Sequence, residues 1–342
     1  MGMLRFCLRL ALVLGTAVPA GGMAADDTLA AVRERGAVRC AVDGTPGFGG
    51  LDREGQPAGV DVAFCRAVAA AVLGDAQAVR IERISTANKF QALVGDEVDI
   101  AFGMATWTLT RDAALGVRFV APVFHDGQAL MAWTDTPLRS LADAAGKRVC
   151  VQSGTTSAAN LADVSRVRGL ALQLVESPST EMRLQRFLRR DCELISGDRA
   201  ELAAVRATRT PDPARWQILD ETFSREPLGP YVRAGDERWF GIVRWVINAT
   251  LIAEVYGIDS GSVGKVDEHT ASGEVRMLAG RDPTSGAALG LGSDWARNVI
   301  AQVGNYAEIF ARSVGRESAL GLERGPNALW RDGGLFFPPP LR

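Results

Sequence analysis

Ala37-Val-Arg-Cys-Ala-Val42 and Lys147-Arg-Val-Cys-Val151 are two short apolar strands that open two similar runs of elements. After the first comes a Gly-rich loop at 43–50 and a turn at Glu54-Gly55. Residues 61–73 place apolar side chains at helical spacing and stop at Gly74. Val79-Arg-Ile-Glu-Arg-Ile84 alternates as a strand, 88–94 reads as a short helix ended by Gly95, and Val98-Asp-Ile-Ala-Phe102 as a further strand. The second run repeats this order. A short helix at 138–144 precedes its strand, and Gly154-Thr-Thr opens a helix to about 164. A strand at 172–175, a helix at 181–190 and a strand at 192–195 follow. Strands alternating with helices imply mostly parallel sheets with helical crossovers. Beyond Pro227-Leu-Gly-Pro230 the chain reads as mainly helical, at 237–252, 295–303 and 306–313, and ends in a loop holding Pro338-Pro-Pro340. Two similar units with crossing segments at 126–136 and 227–233 suggest two lobes joined by two strands. The division expected is 25–134 with 232–342 for lobe one, and 135–231 for lobe two, inserted through the hinge.

The length, 342 residues, suits two domains of ~150 residues each. The composition, 47% apolar and 23% charged, is that of a globular protein. Net charge is −2, so no broad basic field exists to hold nucleic acid or an anionic membrane. Two histidines, His125 and His269, leave little for a histidine metal site or a Ser–His–Asp triad. The basic residues are nearly all Arg; Lys stands only at 89, 147 and 265.

The N-terminus carries Arg5 and Arg9, then an apolar run from Leu10 to Ala20, then Gly22-Met23-Ala24. That is the three-part pattern of a cleavable secretory signal over 1–24, cut after Ala24, and the run is short of the ~20 residues a membrane span needs. Export predicts an oxidising compartment. Cys7 leaves with the signal, and Cys40, Cys65, Cys150 and Cys192 then suggest two disulfides, with three connectivities open. No two of them lie close enough for a typical zinc site.

Other motifs carry little. Ser262-Val-Gly-Lys265 matches S-x-x-K without its companion segments. The loop at 44–50 is not G-x-G-x-x-G, and Gly273 and Gly280 have no following Gly-Lys, so dinucleotide binding and nucleotide hydrolysis are not expected.

Several stretches carry a family resemblance. They are Gly59-Val-Asp-Val-Ala-Phe-Cys-Arg-Ala-Val68, Thr106-Trp-Thr-Leu-Thr-Arg-Asp112 and Val149-Cys-Val-Gln-Ser-Gly-Thr-Thr156. Glu226-Pro-Leu-Gly-Pro230, Val303-Gly-Asn-Tyr-Ala-Glu-Ile-Phe310 and Asn327-Ala-Leu-Trp330 complete the set. Over nearly the whole mature chain the sequence resembles periplasmic amino-acid-binding proteins of ABC importers, within bacterial solute-binding protein family 3, and among these the general L-amino-acid-binding group. The resemblance implies a type II periplasmic-binding-protein fold: two α/β lobes that close over a ligand about a two-strand hinge. It implies an exported, periplasmic, monomeric binding protein that delivers an L-amino acid to an inner-membrane permease, with no catalysis, metal or cofactor. The family's four cysteines fall at Cys40, Cys65, Cys150 and Cys192. A bridge between lobes would lock the hinge, so Cys40–Cys65 and Cys150–Cys192 are the pairs expected.

The resemblance also assigns roles. A zwitterion buried without partners is costly, so its carboxylate and ammonium each need one. Arg111 stands at the family's carboxylate-gripping Arg, a geometry suited to a bidentate fork. Thr106 matches a ligand-contacting hydroxyl. Gly154-Thr155-Thr156 begins a helix after a strand, an anion site for the second lobe's grip on the carboxylate; Thr155 or Thr156 also reads as an ordinary N-cap. Asp198 matches the acid for the ligand ammonium, with a helix N-cap as its alternative use. Phe48 reads equally as a wall of the side-chain pocket or as core, and Trp107 reads as packing. Gly103-Met104-Ala105 departs from the polar residues of the general binders and places Met104 beside the site, which suggests a narrower or more apolar ligand. A dehydratase on the same scaffold would need a general acid in the cleft, and no second acid or base is identifiable in the sequence beside the Arg–Asp clamp.

Overall fold

The computed structural model describes residues 27–210 and 212–341; the expected signal sequence and cleavage point lie outside them. Helix α1 (Thr28–Arg35) leads into β1 (Val38–Val42), the small hairpin β2 (Gly50–Leu51) and β3 (Pro57–Ala58), and α2 (Val60–Leu73). Then come β4 (Val79–Arg83), α3 (Lys89–Val94), β5 (Ile100–Ala101), α4 (Leu109–Ala114) and β6 (Val117–Phe119). Strand β7 (Phe124–Asp126) carries the chain out of the first lobe. The second lobe holds β8 (Gln128–Trp133), β9 (Arg148–Gln152), α5 (Thr156–Val167), β10 (Gln173–Ser177), α6 (Thr180–Leu188), β11 (Leu194–Asp198), α7 (Arg199–Thr208) and β12 (Trp216–Ile218). Strand β13 (Glu226–Leu228) returns to β14 (Tyr231–Arg233), followed by α8 (Glu237–Val255), α9 (Gly273–Leu278), α10 (Trp295–Val303) and α11 (Tyr306–Ser313).

Both lobes carry one plan. The first sheet has the order β4-β1-β5-β14-β6, with β1 parallel to β4 and β5 and β14 antiparallel to its neighbours. The second has the order β10-β9-β11-β8-β12, with β9 parallel to β10 and β11 and β8 antiparallel to its neighbours. The two crossings pair as an antiparallel hinge, Asp126 opposite Glu226 and Phe124 opposite Leu228.

Sheet membership moves the lobe boundaries. Gln128–Trp133 belongs to the second sheet and Tyr231 to the first, so the passages lie at 124–126 and 226–228 rather than at 134/135 and 231/232. Apolar runs such as Gln128–Trp133 are buried on both faces, so the sequence does not mark which sheet takes them. Gly229 sits at one passage because a Cβ there would run into the Ala121 carbonyl.

Burial follows the strand period. In the second lobe Val149, Val151 and Leu194 face one cluster with Leu130 and Leu161, while Cys150 and Ile195 face another with Phe187 and Trp216. In the first, Ala-rich α2 is buried along most of its length among α8 and α10. Cys40–Cys65 ties β1 to α2 and Cys150–Cys192 ties β9 to the approach of β11, so both bridges are intra-lobe. The C-terminal segment reaches back to the hinge. Asn327 accepts the His125 N–H at 2.6 Å and donates to its carbonyl at 3.0 Å, while the His125 ring packs on Phe336.

Candidate functional site

The site lies where the C-terminal ends of the central strands of both sheets face each other. From β5 the chain runs through Gly103 and Met104, both at positive φ (+86° and +47°), to Thr106 and then α4. Thr108 caps α4 by accepting the Arg111 N–H at 3.3 Å. The Arg111 guanidinium donates to the Thr106 carbonyl at 2.8 Å and lies over the Phe90 ring, with no carboxylate of the described residues at ion-pairing distance. Most of its donors are therefore uncommitted.

On the facing lobe, Thr155 caps α5. Its hydroxyl donates to the Gln152 carbonyl at 2.7 Å and accepts the Ala158 N–H at 3.2 Å. The N–H groups of Thr156 and Ser157 belong to the first turn, where no intrahelical acceptor exists. The Thr156 hydroxyl lies 3.3 Å from that of Thr106, so the lobes touch across the cleft.

Asp198 ends β11 at the N-cap position of α7, yet its side chain makes no capping bond. Asp126 of the hinge takes that role, accepting the Ala200 N–H at 2.9 Å. Asp198 is thus left with a buried Oδ1 that has no hydrogen-bond partner. Burial raises its carboxyl well above the usual range, and Asp126, Glu226 and Glu201 add to this against Arg183. An ammonium placed there would relieve that stress.

Arg111, Thr106, Met104, Thr155, Thr156 and Asp198 line one cavity of about 50 Å³ between the lobes. Phe48 does not join them. Its loop tucks beneath the start of α2, and its ring is 1% exposed in the core, edge-on to Phe124 at 5.1 Å, so its assignment as a pocket wall is corrected. Trp107 stacks flat on Phe119 at 5.0 Å, outside the lining.

Sequence reasoning missed half of the lining. Asp43, Thr86 and Lys89 come from the first lobe; Gln152, Thr180, Arg183 and Glu201 from the second. Lys89 is 2% exposed and donates to the Gly103 carbonyl at 2.6 Å; burial pushes its ammonium down to about 8. Asp61, behind the lining, accepts the Gly103 N–H at 3.0 Å and is pushed up to about 7, by burial first and by Asp43 next. Arg183 is ion-paired with Glu201 and donates to the Ser196 carbonyl. The one signal for Lys89 was the scarcity of lysine in an Arg-rich chain. Met104 is the only apolar side chain longer than a methyl group in this lining, which is otherwise polar.

The hinge reaches the site through Glu226. This buried carboxylate accepts from Thr106 of the first lobe at 2.7 Å, from Asn160 of the second at 2.9 Å, and from Ser224 at 2.6 Å. Among the described residues there is no cluster suited to a metal ion and no helix long and apolar enough to cross a membrane.

Comparison with known proteins agrees with this architecture. The general L-amino acid-binding periplasmic protein AapJ of Rhizobium johnstonii is 39% identical over 337 residues, covering 97% of this chain and 98% of that one. The glutamate/glutamine/aspartate/asparagine-binding protein BztA of Rhodobacter capsulatus is 39% identical over 322 residues, covering 94% and 95%. A solved periplasmic binding protein from Brucella ovis with glutathione bound superposes with a TM-score of 0.89 at 36% identity, covering 92% of this chain and 99% of that one. Residues 38–254 match the description of bacterial extracellular solute-binding proteins, family 3. With the doubled sheets, the paired hinge and full-length relatives in agreement, the chain belongs to family 3 of the bacterial extracellular solute-binding proteins, which are transport proteins and not enzymes.

Proposed function

We propose that this protein captures a free L-amino acid between its lobes and delivers it to an ABC permease. Arg111 and the first turn of α5 hold the α-carboxylate, with Thr106 beside them, and Asp198 holds the α-ammonium. One observation carries the reading. Two uncommitted groups of opposite kind, the Arg111 guanidinium and the Asp198 carboxyl, sit on different lobes of one narrow cavity. A zwitterion supplies the partner each lacks, and it binds the closed arrangement better than an open one because only closure brings both grips to it. The chain is exported through a signal sequence cleaved near Ala24 and acts in the periplasm as a monomer.

Isothermal titration of refolded, ligand-stripped mature protein against the twenty L-amino acids tests this. Micromolar or tighter binding of one or more supports it. No binding of any overturns it.

A further inference from the structure

We infer that the first lobe carries a second ligand site, away from the cleft, for a small phosphomonoester with a cationic remainder, gripped by Arg66 and Arg312. A cavity of about 820 Å³ opens between the loop ahead of α2, one face of α2, the C-terminal end of α10 and the segment that follows α11. It shares no lining residue with the cleft, and except for Thr208 at the end of α7 its lining belongs to the first lobe. Gln302 ties two of its walls together. Its side chain accepts the Ala76 N–H at 2.8 Å and donates to the Gly74 carbonyl at 2.9 Å.

Two guanidiniums line this space. Arg66 stands one turn after Ala63 on α2, donates to the Pro57 carbonyl at 3.1 Å, and has a buried Nε with no partner. Arg312, on α11, donates to the Val303 carbonyl at 2.6 Å. A guanidinium has five N–H donors, and each of these spends one within the protein. Among the described residues no carboxylate lies within ion-pairing distance of either. The two charges feel each other. The Arg312 guanidinium is held below its usual range, by loss of hydration first and by the Arg66 charge as well, against Glu308 and Glu317. Glu308 is spent elsewhere, accepting from the Asn305 N–H at 2.8 Å and the Ser260 hydroxyl at 2.6 Å. Two neighbouring like charges with most donors unmade form a fork pair that an oxyanion completes.

The charge count selects the ligand. A phosphomonoester carries about −1.5 to −2 near neutral pH and presents three acceptor oxygens, enough for two guanidinium forks, whereas a carboxylate matches one. Around the pair the lining turns acidic. Asp52, Glu54 and Glu317 are exposed, and Arg53 is the one further cation beside them. Carboxylates in that excess repel a second anionic group and favour a cation on the solvent side of the cavity. The site therefore takes a phosphate head inward and an ammonium-like group outward.

The test is titration of acetate, inorganic phosphate and phosphoethanolamine, a phosphomonoester bearing an ammonium, into wild type, Arg66→Met, Arg312→Met and Glu317→Gln, with thermal unfolding as a check on folding. Wild type binds phosphoethanolamine more tightly than phosphate, and phosphate at least about tenfold more tightly than acetate. Loss of either Arg removes charge-assisted hydrogen bonds and weakens phosphate about tenfold or more. Glu317→Gln tightens phosphate and narrows the advantage of phosphoethanolamine. No binding of phosphate or phosphoethanolamine up to about 10 mM would overturn the inference. Phosphate affinity in Arg312→Met within about threefold of wild type would also overturn it, by placing the anion elsewhere, the cleft included. Arg312 is exposed, so that variant decides the matter even if Arg66→Met does not fold. Acetate as tight as phosphate would refute the phosphate head, and an unchanged phosphoethanolamine-to-phosphate ratio in Glu317→Gln would refute the cationic remainder. These outcomes stand whether or not the cleft binds an amino acid.

Discussion

Replacing Asp198 by Asn should move binding and stability in opposite directions. The carboxyl is 9% exposed, its Oδ1 has no partner, and three other carboxylates raise it against one Arg. With no ligand present, its charge is a liability held for the ligand. Removing the charge should therefore stabilise the ligand-free protein, by on the order of 1–3 kcal/mol, the desolvation cost of one unsatisfied buried group. The gain depends on pH. A carboxyl raised on folding stays protonated in the folded chain above about pH 3.9, where the unfolded one has ionised. The folded state then binds more protons, so wild-type stability falls as pH rises from there toward the folded value. The Asp198→Asn variant escapes that fall, so its Tm gain is present at about pH 7.5 and vanishes toward about pH 4. Ligand affinity goes the other way. Truncating one member of a buried charge pair costs about 2–5 kcal/mol, roughly a 30-fold to several-thousand-fold loss. Ligand ammonium also favours the ionised carboxylate, so wild-type binding releases protons and tightens with rising pH; the variant does neither. Differential scanning fluorimetry at two pH values and calorimetry in buffers of different ionisation enthalpy read all of this. A variant that binds within threefold of wild type, or that melts lower at neutral pH, would refute the reasoning.

Arg111→Ala should weaken amino-acid binding by about 30-fold or more, while Tm changes by only about 1–2 °C, because the side chain's few contacts, with the Thr106 carbonyl, the Phe90 ring and Tyr231, lie within its own lobe; a retained affinity in titration removes it from the clamp. Glu226→Ala deletes the acceptor shared by Thr106 and Asn160, so closure loses bonds to both lobes and affinity should fall about tenfold or more. Unaltered affinity there would show that these bonds do not favour the closed state. Non-reducing peptide mapping should yield Cys40–Cys65 and Cys150–Cys192, with loops of 25 and 42 residues. Removing either bridge should cost roughly 3–4 kcal/mol in denaturant unfolding and leave ligand affinity unchanged.

Strand and helix periods along the chain carried the doubled α/β plan, because backbone hydrogen bonding and one-sided burial imprint a local pattern on each element. The family resemblance, rather than any local pattern, named the proposed clamp: Arg111 after a strand, Thr155 at a helix start and Asp198 at a strand end. What the sequence left open depends on which distant segments meet. The edge of the lobes moved because Gln128–Trp133 is apolar on both faces and fits either sheet until its partners, β11 and β12, are placed. Asp198 read equally as a cap, until Asp126, seventy-two residues earlier, proved to take the α7 N–H and leave it unpaired. Phe48 read equally as wall or core, and the tuck of its loop beneath α2 decided it. Nothing in the sequence beyond the scarcity of lysine singled Lys89 out. Only the fold buries it against Gly103 and opposite Asp43, and burial is a property of what surrounds a residue, which no local pattern records.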